Sequence, residues 1–123
     1  MIKLVYCLRR LPNLSREEFQ RYWRETHGPP VRERAKALGI QRYVQVHTLD
    51  SPLNEALRQS RDAGEAYDGV AELWWDCAET FAQATATPEG QKAASELQED
   101  ERRFIDFGRS VVFIAQERPV VEQ

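Results

Sequence analysis

The chain has 123 residues, of which 41% are hydrophobic and 30% charged, with a net charge of −3. That balance predicts one domain over residues 1–123 with a real core, and the interspersed signs exclude a basic nucleic-acid face or a surface for anionic lipid. No apolar stretch reaches the roughly 20 residues that cross a bilayer, and MIKLVYCLRR reverses the charge order of a secretory leader, so neither a membrane nor export is expected and the cytoplasm is the default.

Residues 2–9 alternate as a strand, with Ile2, Leu4, Tyr6 and Leu8 on one side and Lys3, Val5, Cys7 and Arg9 on the other. LSREEF then carries a capping box, Ser15 at the N-cap and Glu18 at N3, with Leu14 and Phe19 placed as a hydrophobic staple. Phe19, Tyr22, Trp23 and Thr26 keep helical spacing, and His27 lies one turn beyond Trp23 on the flank of that stripe. Gly28-Pro29-Pro30 predicts a helix stop there, because proline lacks the N–H donor and disfavours helix in the residue before it. Val31, Ala35 and Leu38 mark a second helical piece that Gly39 ends.

Residues 40–49 read as the second strand, and Ser51-Pro52 opens a short helix before the polar loop DAGEAYDG. Residues 69–75 form the third strand, after which Asp76 is expected to cap a helix with Glu79 at N3. Thr87-Pro88-Glu89 restarts helix, and Ala93, Ala94, Leu97, Glu101, Phe104 and Ile105 keep the 3.6-residue rhythm up to a last strand at 110–117. The order β-α-β-β-α-β, with an extra helix between the central strands, predicts an α+β, ferredoxin-like protomer: a four-stranded antiparallel sheet with helices on one face. Trp74 would then lie on the uncovered face, with Tyr43 beside it. Such a patch predicts a homodimer, a dimeric α/β barrel in which two open faces enclose a cavity.

Strand two offers the richest set of polar side chains. Gln41, Tyr43, Gln45 and His47 share one side and read as a small-molecule cavity wall, with a solvated strand face as the alternative. Val44 and Val46, on the other side, read as helix-facing core. Glu72, inside the apolar run GVAELWW, must be paired, hydrogen-bonded or held protonated, and the last case would make it a general acid or base. His27 has two readings: a proton-transfer group, or a residue at a helix end whose cationic form the dipole favours. Cys7 and Cys77 show no metal or redox spacing and read as buried or half-buried free thiols. No P-loop, Gly-x-Gly-x-x-Gly or Gly-x-Ser-x-Gly motif occurs.

Taken together, MIKLVYCLRR, LSREEFQRYWRETHGP, QRYVQVHTL, YDGVAELWW, PEG and RRFIDFGRSVVF resemble the EthD family over nearly the whole chain. The most specific part is F-x-x-Y-W-x-x-x-H-x-P, met here by Phe19, Tyr22, Trp23, His27 and Pro29. The resemblance implies a ferredoxin-like protomer, a homodimer and a cavity between helices and sheet. It also implies an association with oxidoreductase systems of ether, aromatic and polyketide metabolism. Similar small barrels include cofactor-free isomerases, which place a histidine at the position of His27 and a tyrosine at that of Tyr43.

The expectation that follows is a cofactor-independent enzyme acting on a small, hydrophobic, oxygenated metabolite, with no metal. His27, Tyr43, His47 and Glu72 are its candidate catalytic residues, and Tyr6, Trp23, Gln45 and Trp74 its candidate substrate contacts. A non-catalytic accessory protein that holds a metabolite for a monooxygenase is the alternative. A haem-binding barrel, by analogy of fold, is a third reading.

Overall fold

In the computed structural model, which describes residues 1–123, strands β1 (Ile2–Leu8), β2 (Arg42–His47), β3 (Gly69–Trp75) and β4 (Val111–Ala115) form one antiparallel sheet. Their order is β2-β3-β1-β4, the split β-α-β pattern expected from the element sequence. Helices α1 (Arg16–Arg21), α2 (Gly28–Leu38), α4 (Ala78–Ala86) and α5 (Pro88–Glu101) pack together on one face, and α3 (Pro52–Ser60) is the additional helix between β2 and β3. No helix is long and apolar enough to cross a membrane.

Local chemistry sets most helix boundaries. Ser15 and Glu18 complete the capping box of α1, and Leu14 packs against the cluster that holds Phe19. Ser51 caps α3, Thr87 caps α5, and Gly39 ends α2 in the left-handed region at φ 71°. At the head of α4 the expectation fails. The N-cap is Cys77 rather than Asp76, and its side chain makes no capping hydrogen bond. Cys77 is exposed, not buried, while Cys7 is half-buried; both thiols are free.

The predicted stop at Gly28-Pro29-Pro30 is also corrected. Helix continues from Arg16 to Leu38, because a π-helical turn over Tyr22–His27 shifts the hydrogen-bond ladder and lets α2 begin anew at Gly28. The prolines fall in the first turn of α2, where a missing N–H leaves no gap in the ladder. The wide turn has a second effect. In a plain α-helix, each four-residue step overshoots a full rotation by about 40°, so Phe19, Trp23 and His27 would drift around the surface. The π turn takes back that drift, and all three side chains are buried.

The two faces of the sheet separate cleanly. Leu4, Tyr6 and Leu8 of β1, with Ala71, Leu73 and Trp75 of β3, lie beneath the helices. Tyr43 pairs with Leu73 across the ladder and packs into the same core, whereas Arg42 pairs with Trp74. This inverts the expectation for β2: Val44 and Val46 belong to the open face, and Val46 is 44% exposed. Trp74 does lie on the open face, but Tyr43 is not beside it. Its ring is buried between the Lys3 ammonium and the Arg42 guanidinium, and its indole N–H donates to Glu117 (2.7 Å). At the start of β3, any Cβ on Gly69 would collide with the Trp23 ring, so glycine is what allows that ring to lie on the sheet.

Candidate functional site

Between the sheet and α2, α4 and α5 lies a cavity of about 380 Å³, walled mainly by apolar side chains. Leu4, Leu8, Ala71 and Leu73 form its sheet side, and Val31, Leu38, Ala94 and Leu97 its helix side. Its polar groups are few: Tyr6, His27, Tyr43, Thr85, Gln98 and Glu101. Apolar walls with a small number of placed polar groups are the usual make-up of a small-molecule site.

His27 is 5% exposed, held against the Phe104 ring at 5.0 Å between centroids. Its Nδ1 is 2.7 Å from Asp100 Oδ2. Asp100 also accepts from the Tyr22 hydroxyl (2.6 Å) and from Arg103 Nη1 (3.1 Å). Burial pushes the Asp100 carboxyl up, but hydrogen bonds from Tyr22, His27 and Arg103 outweigh it and hold the group below its ordinary value. Burial lowers His27 against the opposing pull of Asp100, so the ring is neutral near pH 7. A neutral ring with Nδ1–H donated to a carboxylate leaves Nε2 as the basic nitrogen. The helix-end dipole argument does not apply, since the helix does not end here.

Tyr43 is positioned by a chain of side chains on one face of β2. Gln45 Nε2 donates both to the Tyr43 hydroxyl oxygen (2.9 Å) and to the Trp23 carbonyl (2.9 Å). Gln45 Oε1 is 2.8 Å from His47 Nε2, and the His47 ring stacks on Trp23 at 4.5 Å. Burial pushes the Tyr43 phenol up, against hydrogen bonds from Gln45 and Trp23. Because its oxygen already accepts from Gln45, its own proton is left to donate into the cavity.

The cavity therefore gathers His27, Tyr43, Tyr6 and Trp23 from the sequence-derived candidates. Gln45 and His47 stand behind Tyr43 and Trp23, outside the cavity wall. Glu72 and Trp74 are on the other side of the sheet, where Glu72 pairs with Lys3 at 2.9 Å. Sequence reasoning missed Asp100, the partner of His27, and the cavity residue Glu101. The second had a visible signal, a carboxylate inside the apolar stripe Ala94, Leu97, Phe104 and Ile105. No group of three or more His, Cys, Asp or Glu side chains converges as a metal-binding cluster.

An EthD domain profile matches residues 11–108. The chain belongs to the EthD family. Among solved structures, an ethyl tert-butyl ether degradation (EthD) family protein from Bacillus halodurans is 22% identical, with a TM-score of 0.63 over 96% of this chain and 99% of that one. SnoaB from Streptomyces nogalater, a cofactor-independent oxygenase, is 15% identical, with a TM-score of 0.57 over 99% of this chain and 97% of its own. HapK from Hahella chejuensis is 9% identical, with a TM-score of 0.58 over the full length of both chains. These likenesses show the shared fold. No curated protein matches the sequence. For an EthD-family chain, the buried histidine of the family signature now has a defined environment: an aspartate behind it and a cavity in front of it.

Proposed function

We propose that this EthD-family protein is a cofactor-independent acid–base enzyme acting on a small, hydrophobic carbonyl-bearing or phenolic molecule. The observation that carries the reading is that the Asp100-backed His27 and the proton-donating Tyr43 line the same apolar cavity. His27 Nε2 takes a proton from the ligand, and Tyr43 donates to the oxygen on which negative charge develops. Gln45 is a positioning residue that fixes the direction of that donation, with His47 supporting it. A placed acid–base pair typically contributes about 10²–10⁴-fold, enough for isomerisation or dehydration of an activated substrate. The fold shared with a cofactor-independent oxygenase supports a small-molecule role.

The same reading includes a homodimer. Val111 and Phe113 of β4, 46% and 47% exposed, share the open face of the sheet with Val46, which is 44% exposed. Two copies pairing these faces would cover them and leave each cavity on the helix side. Phe113→Glu is expected to convert the dimer to monomer in sedimentation velocity; a wild-type chain that sediments as a monomer removes the dimer from the reading.

Activity is tested by mass spectrometry after incubation with a panel of enolisable ketones and phenols. A bell-shaped pH profile is expected, with a loss of about 10²–10⁴-fold on His27→Ala and the fold retained. An unchanged rate in that variant refutes the role of His27. Ligands that bind and return unchanged favour the accessory-protein alternative.

A further inference from the structure

Glu101 is the only carboxyl in the cavity wall, and no lysine or arginine lines that wall. It closes α5 directly after Asp100, and the helix sends the two carboxyls different ways. Asp100 turns to Tyr22, His27 and Arg103, whereas Glu101 enters the cavity and meets the hydroxyl of Tyr6 from β1. The other charged or titratable groups that bear on it are Tyr43 from β2, His27 in the same cavity wall, and its chain neighbours Asp100 and Arg102. A carboxyl among apolar walls with no facing cation is more stable as the acid than as the anion. Burial first, then the Asp100 charge, pushes Glu101 up to about 7, against the Tyr6 hydrogen bond and Arg102.

We propose that Glu101, held by Tyr6, is a second proton station of the cavity and selects its ligands: neutral carbonyl or phenolic molecules enter, and carboxylates are turned away. This rests on the acid–base reading above and deepens it. In an enolisable ligand, His27 Nε2 removes a proton from the carbon beside the carbonyl. The C–H electron pair becomes the enolate, whose oxygen accepts from Tyr43. The Glu101 acid then delivers its proton to a second carbon of the conjugated system, or to a departing hydroxyl that leaves as water. One C–H bond breaks, and either a C–H bond forms or a C–O bond breaks as water is released, so no oxidant or reductant is needed. Solvent carries the proton from His27 back to Glu101.

The test uses 2-naphthol and 2-naphthoate, matched in ring size and differing in charge, titrated calorimetrically into the purified wild-type protein and Glu101→Gln. At about pH 5.5 and about pH 8.5 the wild type should bind naphthol more tightly than naphthoate, and naphthoate should weaken by about tenfold between them. In Glu101→Gln that weakening should shrink below about threefold, because the glutamine cannot ionise. His27 titrates below its ordinary value, so its contribution is confined to the acid side of the range. Tyr6→Phe is the second variant: loss of the hydroxyl that lowers Glu101 should move the Glu101 midpoint above about 7, read from its carboxyl carbon by NMR. Wild-type naphthoate behaviour in Glu101→Gln would overturn the inference and leave the acid–base reading standing, provided Tyr43→Phe weakens naphthol. If naphthol fails to bind the wild type, the cavity reading falls and takes the Glu101 inference with it.

Discussion

The two faces of the sheet are built from alternate residues of the same strands, yet they handle charge in opposite ways. On the open face, Lys3 and Glu72 face each other at 2.9 Å with side chains 16% and 25% exposed, and Trp74 is flanked by Lys3 and Arg42. Each charge there has an opposite charge or an aromatic face beside it. Under the helices, Glu101 has a tyrosine hydroxyl and apolar walls, with no lysine or arginine in the cavity wall to pair it. Pairing removes the sensitivity of a carboxylate to its surroundings, whereas burial without a cation turns that sensitivity into a proton affinity near physiological pH. The face to which we assign the proposed chemistry is the one on which charge was left uncompensated.

That contrast can be broken most forcefully by removing the ring that walls the covered face. Trp23 is 1% exposed and touches Phe19 and His47, so Trp23→Ala should cost about 3–5 kcal/mol in urea unfolding and loosen the Gln45–Tyr43 arrangement with it. A smaller effect, of opposite sign, is expected at Glu101. Its folded-state value of about 7 lies above the ordinary 4.5, so the folded protein holds this proton more tightly than the unfolded chain does. Its contribution to stability is therefore complete below the ordinary value and is lost as pH rises through about 7. Glu101→Gln removes that loss: it should stabilise by up to about 3 kcal/mol at alkaline pH and by little in acid, measured as the difference between urea midpoints. On the open face, Lys3→Met should change stability by less than about 1 kcal/mol, as expected for a partly solvated pair. A loss as large as that of Trp23→Ala would mean the two faces are not energetically distinct.

Much of the fold was legible because its signals are local. Ser15 with Glu18, Ser51 before Pro52, Thr87 before Pro88, and Gly39 each act on the backbone within one turn, so their meaning does not depend on distant partners. Asp76 failed as a cap: α4 starts one residue later, with Cys77 at the N-cap position and no side-chain capping bond. The site was half legible. His27 was visible through the family signature, Tyr43 through the alternation of β2 and the likeness to small isomerase barrels, and Tyr6 through the alternation of β1. Glu101 stood in an apolar stripe, but nothing local says whether such a carboxyl finds a cation, a hydroxyl or water.

By itself, the sequence determined the order of elements, most of their caps, and the EthD signature with its histidine. Tertiary structure decided the rest. Period-two alternation says which residues of β2 share a side but not which side meets the helices; only the pairing of Tyr43 with Leu73 and of Arg42 with Trp74 settles it. Likewise, Gly28-Pro29-Pro30 reads as a stop because proline lacks a donor, and only the packed π turn upstream makes that absence harmless while turning His27 inward to Asp100. The chemistry of both residues was written in the chain, but their direction was set by what packed against them.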